Sequence, residues 1–129
     1  MEIATHSQID RSLCGTPLVV EQGRSEVELI ASETMAADAT GLVHGGFVFG
    51  LADYAAMLAV NHPNVVLGKA ASRFLVPVQV GQSLLARAEV QTVTGRRYEV
   101  QVEVLQAQST VFEGEFTCYV LEDHVLANE

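Results

Sequence analysis

Three stretches in the second half of the chain alternate between apolar and polar residues with a period of two. Leu84, Ala86, Ala88 and Val90 share one face, opposite Arg87, Glu89 and Gln91. Tyr98, Val100, Val102 and Val104 face away from Glu99, Gln101 and Glu103, and Phe112, Phe116, Cys118 and Val120 face away from Glu113, Glu115 and Thr117. Thr94-Gly95 and Gln108-Ser109 read as turns between them, so the pattern predicts an antiparallel meander with one wet face. Upstream, Glu26 to Ala31 reads as a strand with Val27 and Leu29 on one side, Leu18 to Val20 as a short strand, and residues 64 to 75 as a less polar strand. Ile9 and Leu13 are spaced as on a short helix ending near Gly15, with Thr16-Pro17 as its breaker, and residues 32 to 40 read as a loop.

The stretch Gly41 to Asn61 has neither pattern. From Gly46 onward it is rich in Ala and Leu, has no proline before Pro63, and is apolar on all sides. This predicts one long helix buried in nearly every direction. A buried helix with five to six antiparallel strands gives an α+β domain, the sheet wrapping the helix.

Size and charge narrow the function. The chain has 129 residues, enough for one domain with a single core. Its hydrophobic fraction of 49% and mean hydropathy of +0.25 exclude a disordered chain. The apolar surplus predicts a partner subunit. Net charge is −9, which argues against nucleic acid as a partner, because the phosphate backbone needs many cations. The apolar run Phe47 to Val60 is 14 residues and carries Asp53, whereas a membrane span needs about 20. Two cysteines, Cys14 and Cys118, are too few for a disulfide framework, and the absence of a recognisable signal peptide predicts a cytoplasmic protein. Five of the seven basic residues fall between Lys69 and Arg97 against one acid, Glu89. That segment reads either as an anion site or as cations paired with glutamates on neighbouring strands.

The chemistry centres on the helix. Asp53 is the only formally charged residue between Ala39 and Gly68. Burial would raise its pKa and suit it to general-base work, unless it serves to bond a tyrosine hydroxyl or cap a loop. His44-Gly45-Gly46 precedes the helix, where free backbone N–H groups and the positive dipole end can hold a developing oxyanion. His44 itself fits a structural role, fixing the loop. Eight residues separate Gly45 from Asp53, about 12 Å of helix. One helix cannot bring both to the same carbonyl, whereas two antiparallel copies across a two-fold axis can.

The run His44-Gly-Gly-Phe-Val-Phe-Gly-Leu-Ala-Asp53, followed by Phe74-Leu-Val-Pro77-Val-Gln-Val-Gly81, resembles the hotdog-fold acyl-CoA thioesterases, in particular the phenylacetate-pathway group. The resemblance covers about residues 25 to 121, leaving residues 1 to 24 as an N-terminal extension of a single domain spanning 1 to 129. It implies a sheet shared by two subunits, dimers that often pair into tetramers, Gly45 N–H on the thioester carbonyl, and Asp53 of the partner chain as general base or nucleophile. Where the family often has Asn or Gln, seven residues before the glycine, this chain has Asp38, a carboxylate that accepts hydrogen bonds but does not donate them when ionised. Some relatives carry a hydroxyl residue on the strand after the helix. Val66-Leu67-Gly68 has none, and Ser72 lies further along.

The expected function is hydrolysis of a small or medium acyl- or aryl-CoA thioester. Candidate catalytic residues are Asp53, Gly45, Asp38 and His44. Candidate substrate contacts are Gly46, Phe47, Tyr54 and Met57 for the acyl group, and Lys69, Arg73, Arg96 and Arg97 for the nucleotide phosphates. No metal or separate cofactor is expected, CoA being part of the substrate. The alternatives are a non-catalytic acyl-CoA-binding module and a hotdog dehydratase or hydratase. The latter pairs His with a carboxylate in a motif that His44 and Asp53 do not reproduce.

Overall fold

Six strands form one antiparallel sheet in the order β1-β2-β4-β5-β6-β3. In this computed structural model, which describes residues 1 to 127, the elements are α1 (Arg11–Cys14), β1 (Thr16–Glu21), β2 (Arg24–Ile30), α2 (Gly45–Val60), β3 (Val65–Phe74), β4 (Ser83–Thr94), β5 (Arg97–Gln106) and β6 (Ser109–Val120), with a short 3-10 turn at Glu33–Met35. The sheet curls around α2, as the patterning predicts and as the resemblance to the hotdog fold implies. The inward sets Leu84/Ala86/Ala88, Val100/Val102/Val104 and Phe112/Phe116/Cys118 are buried against the helix. The first 24 residues include β1, which forms one edge of the sheet beside β2.

The helix is apolar around most of its circumference because the sheet covers most of it. Val48, Leu51, Ala52, Tyr54 to Ala59 are all buried. Ser25 of β2 is fully buried and donates its hydroxyl to the Ala55 carbonyl at 2.6 Å, which satisfies the one polar group this face would otherwise strand. The helix ends at Asn61, in the left-handed conformation at φ 51°, whose N–H donates to Met57 O. The Asn61 side chain accepts from Ala4 N–H and donates to Glu2 O, both at 2.8 Å, so the N-terminal residues are tied to the helix end. Helix α1 is shorter than the Ile9/Leu13 spacing suggests. Asp10 caps it by accepting from Ser12 N–H, which places Ile9 before the helix.

The outer face carries an ionic row across five strands. The register aligns Glu26, Arg87, Glu103, Glu113 and Arg73 in turn. Thus Glu103 and Glu113, like charges directly opposite, are flanked by arginines on both sides. The alternation in β4 breaks after Val90, where a register shift at Val90/Thr92 lets the strand continue to Thr94.

Gly15, between α1 and β1, is packed against the core without room for a side chain. It lies at φ 109°, and a Cβ there would sit 2.6 Å from Val27 Cγ1 and 2.9 Å from Leu51 Cδ1. Backbone strain and collision with two core side chains act together. Gly15→Ala is therefore expected to cost about 3 kcal/mol or more. A urea midpoint unchanged from the parent would contradict this placement.

Candidate active site

The start of α2 is held open. His44 is extended at φ −63°, ψ 130°, and makes no side-chain capping bond. Its N–H donates to Met35 O and its carbonyl accepts from Phe47 N–H. Among the described residues, neither Gly45 nor Gly46 N–H has an acceptor beyond the helix. Two free donors thus stand at the positive end of a 16-residue helix. The His44 ring lies over Gly46, where an added Cβ would approach its Nε2 to 3.1 Å, and meets the Phe47 ring edge-on. Gly46 therefore allows the histidine ring to fold back over the first turn.

Asp53 lies two turns further along the same helix. Among the described residues, its buried Oδ1 has no hydrogen-bond partner. Burial pushes its pKa up to about 6. Phe49, one turn before it, packs on Phe112 and Phe116 of β6. Burial also raises the thiols of Cys14 and Cys118, to about 12 for Cys118, with the Asp53 charge adding to both. Both are therefore protonated and poorly nucleophilic at neutral pH. An unpartnered buried carboxylate is costly unless another group meets it, here or in an assembly.

Beside Gly45 lies a cleft of about 280 Å³. Val43, Val48, Val78 and Val111 form its floor, and Phe74, Leu75 and Val76 its rim. The rim segment is fixed by its backbone: Leu75 N–H donates to Val111 O at 2.8 Å and Val43 N–H to Val78 O at 2.8 Å. Phe74 pairs with Phe112 across the sheet, so its ring projects on the inner face, 5.0 Å from the Phe112 ring centre. An added Cβ on Gly45 would lie 3.2 Å from Phe74 Cε2. The sequence singles out Phe74 as part of a motif, but not as a neighbour of Gly45. The signal available was an apolar triplet, Phe74-Leu75-Val76, at a strand end just before Pro77.

The other expected site residues divide by position. Asp38 sits in an exposed Asx turn, accepting from Thr40 N–H at 2.9 Å and Thr40 Oγ1 at 2.6 Å, and these bonds hold its carboxyl below the usual range. Tyr54 and Met57 are each 1% exposed, within the core, and neither lines the cleft at Gly45. Phe47 is half-buried. Ser72 is on β3 opposite Gly114. Arg73 meets Glu113 at 3.5 Å, Arg96 meets Glu122 at 2.7 Å, and Arg97 meets Glu99 at 3.4 Å. Among the described residues Lys69 has no carboxylate within ion-pair distance. Arg97 pairs with Tyr119 and Phe74 with Phe112, so the Arg96-Arg97 turn and the Gly45 cleft lie towards opposite ends of β6. Seven residues of strand separate those two partners, about 23 Å.

No helix of the described residues is long and apolar enough to cross a membrane, and no group of three or more potential metal-ligating side chains occurs among them.

Comparison with known proteins places this geometry. An uncharacterised protein from Pyrococcus horikoshii is 52% identical, with a TM-score of 0.96 over 98% of this chain and 97% of that one. A mutant of the phenylacetic acid degradation protein PaaI from Thermus thermophilus is 27% identical, with a TM-score of 0.79 over 86% of this chain and 96% of that one. Among curated relatives, methylthioribose-1-phosphate isomerase of Aquifex aeolicus is 50% identical over 123 residues, but this chain spans only 27% of its length. Transcription factor FapR of Caldanaerobacter subterraneus is 29% identical over 113 residues, 87% of this chain and 56% of that protein. The thioesterase superfamily profile matches residues 40–113, a span that takes in His44, both glycines, all of α2 and the Phe74 rim. With a six-stranded sheet wrapped around one buried helix and that profile across its centre, the chain belongs to the thioesterase superfamily.

Proposed function

We propose that this protein hydrolyses an acyl-CoA thioester of small or medium acyl or aryl type, with each active site shared between two chains. The observation that carries the proposal is the pairing, on one helix, of free N–H donors at Gly45 and Gly46 and, among the described residues, a buried, unpartnered carboxylate oxygen at Asp53. They lie about 12 Å apart along the axis, too far to act on one carbonyl within a chain. An antiparallel second copy brings Gly45 of one chain to Asp53 of the other. β3 supports such an assembly, because it forms an edge of the sheet ten residues long with one side unpaired.

In this reading Gly45 N–H polarises the thioester carbonyl and holds the oxyanion, while ionised Asp53 takes a proton from the attacking water. The C–S bond breaks, CoA leaves as thiolate and is protonated, and the acid is released. Water and thioester balance the reaction, and CoA enters as substrate. Lys69 and Arg73 on β3, with Arg96 in the β4–β5 turn and Arg97 at the start of β5, are the proposed phosphate contacts.

A second reading is a non-catalytic acyl-CoA-binding module, favoured by the similarity to proteins named as transcription factors. Thiol release from a panel of acyl-CoAs, from acetyl and phenylacetyl to palmitoyl, separates the two. Turnover by the parent that Asp53→Ala abolishes is expected. CoA binding without turnover across the whole panel would favour the module.

A further inference from the structure

At the end of α2 away from Gly45, the N-terminal residues Ala4 to Ile9 form one wall of a groove of about 610 Å³, and Pro63, Val65 and His124 form the other. We propose that this groove binds the phosphate group of a small phosphorylated molecule, with the His6 and His124 rings and the backbone of the turn Thr5 to Gln8 as its donors. The 16 residues of α2, about 24 Å, separate it from the Gly45 cleft.

The N-terminal wall is fixed by its own bonds. Asn61 holds Glu2 O and Ala4 N–H at 2.8 Å. Thr5 is buried, and its Oγ1 bonds His6 Nδ1 at 2.7 Å. The His6 ring lies 6.1 Å from that of Tyr54. Ile9 N–H donates to His6 O, closing a turn over Ser7 and Gln8. His6 itself is left-handed at φ 53°, a conformation that costs a residue with a side chain.

Charge and hydrogen bonding choose the ligand. The chain has 16 acidic residues and a net charge of −9, yet no carboxylate lines this groove. A cation entering it meets no counter-charge. His124 Nδ1 accepts the Leu126 N–H at 3.1 Å, so the proton of the neutral ring is on Nε2, which donates and cannot ligate a metal. Among the described residues His6 Nε2 has no partner, and the N–H groups of Thr5, His6, Ser7 and Gln8 have no acceptor. That donor set exceeds what the two oxygens of a carboxylate accept and suits the three terminal oxygens of a phosphomonoester. At about 30 Å³ for each water-sized group, the groove holds about twenty non-hydrogen atoms, close to a nucleoside monophosphate. Burial holds the His6 pKa below its ordinary value, and a bound dianion opposes that by favouring the imidazolium. The groups around His6 are Thr5 Oγ1, the Tyr54 ring and, in the same lining, His124.

The experiment titrates the full chain with inorganic phosphate and with AMP by calorimetry, for the parent, His6→Gly, His124→Ala and the double variant. Glycine accepts the left-handed turn without strain and His124 is exposed, so both positions tolerate the change. NMR follows the histidine ring signals in the same titrations. The parent is expected to bind one phosphate per chain, each single variant to bind about tenfold more weakly, and the His6 pKa to rise when phosphate is present. No binding of either probe, equal dissociation constants in the parent and the double variant, or binding that leaves both ring signals unmoved would overturn the site. Repeating the phosphate titration with CoA present identifies the source of the phosphate. Competition means that the groove holds a phosphate of CoA itself, and additive binding means a separate phosphorylated molecule; either result supports the site. None of these readouts uses turnover, so they decide the site whether or not the protein is a thioesterase.

Discussion

Replacing Asp53 with asparagine is expected to cut thioester turnover by about 10³-fold while making the protein more stable at pH 8. Both effects have one cause. Burial raises the carboxyl pKa to about 6 from an ordinary value of 3.8. The folded state therefore binds a proton more tightly than the unfolded chain. Stability is lost as pH rises from 3.8 to 6, and the full penalty persists above that range. A shift of about two units corresponds to about 3 kcal/mol, reduced to about 2 kcal/mol by the carboxylate's remaining contact with solvent. Asparagine removes that penalty, which corresponds to about 6 °C in Tm for a domain of this size. The gain should shrink towards pH 4, where the aspartate is protonated in the fold. In the parent, kcat/KM should fall below pH 6 as the base is protonated. A lower Tm for Asp53→Asn at pH 8 would mean that the carboxylate is paired in the assembled protein.

The second large effect is at Gly45, and it separates the backbone donor from the space around it. Gly45→Pro deletes the N–H, and the local geometry accepts it. Proline is favoured at the first position of a helix, and His44 already has the extended φ and ψ that a residue before proline adopts. Gly45→Ala retains the N–H but pushes against the Phe74 ring, which lies 3.2 Å from the new Cβ and is a side chain, not backbone, so that it can give by a few tenths of an ångström. Turnover is expected to fall by 10² to 10³-fold in the proline variant, as on losing one oxyanion donor, and by less than tenfold in the alanine variant. Circular dichroism and Tm confirm that both fold. Equal activity in the two variants would remove the Gly45 N–H from the mechanism.

The period-two segments made β4, β5 and β6 legible in the sequence because one face of each is packed on the helix and the other is wet. Helix α2 was legible for the opposite reason: apolar residues on all sides have no stable place except inside a curled sheet. Asp53 stood out because nothing else charged occurs near it in the chain. What stayed hidden depends on contacts between distant segments. The cleft joins Val43, Val78 and Val111, three residues whose spacing carries no periodic signal. Tyr54 and Met57 look like tunnel residues on an apolar helix, but which side of that helix meets the sheet is decided only by packing. The clamp of Asn61 on Glu2 and Ala4 spans more than fifty residues, and the sequence alone shows only an asparagine before Pro63.

The shared site is tested most directly by mixing two inactive proteins. Asp53→Asn and Gly45→Pro each lack one half of every site. Subunits exchanged between them form mixed dimers in which one site has both native residues and the other has neither. Random exchange should restore about one quarter of the parent thiol-release activity, half the dimers being mixed and half of their sites intact. Recovery near that level is the expected result. A mixture that exchanges subunits, shown by native mass spectrometry, yet regains no activity would contradict a site built from Gly45 of one chain and Asp53 of its partner.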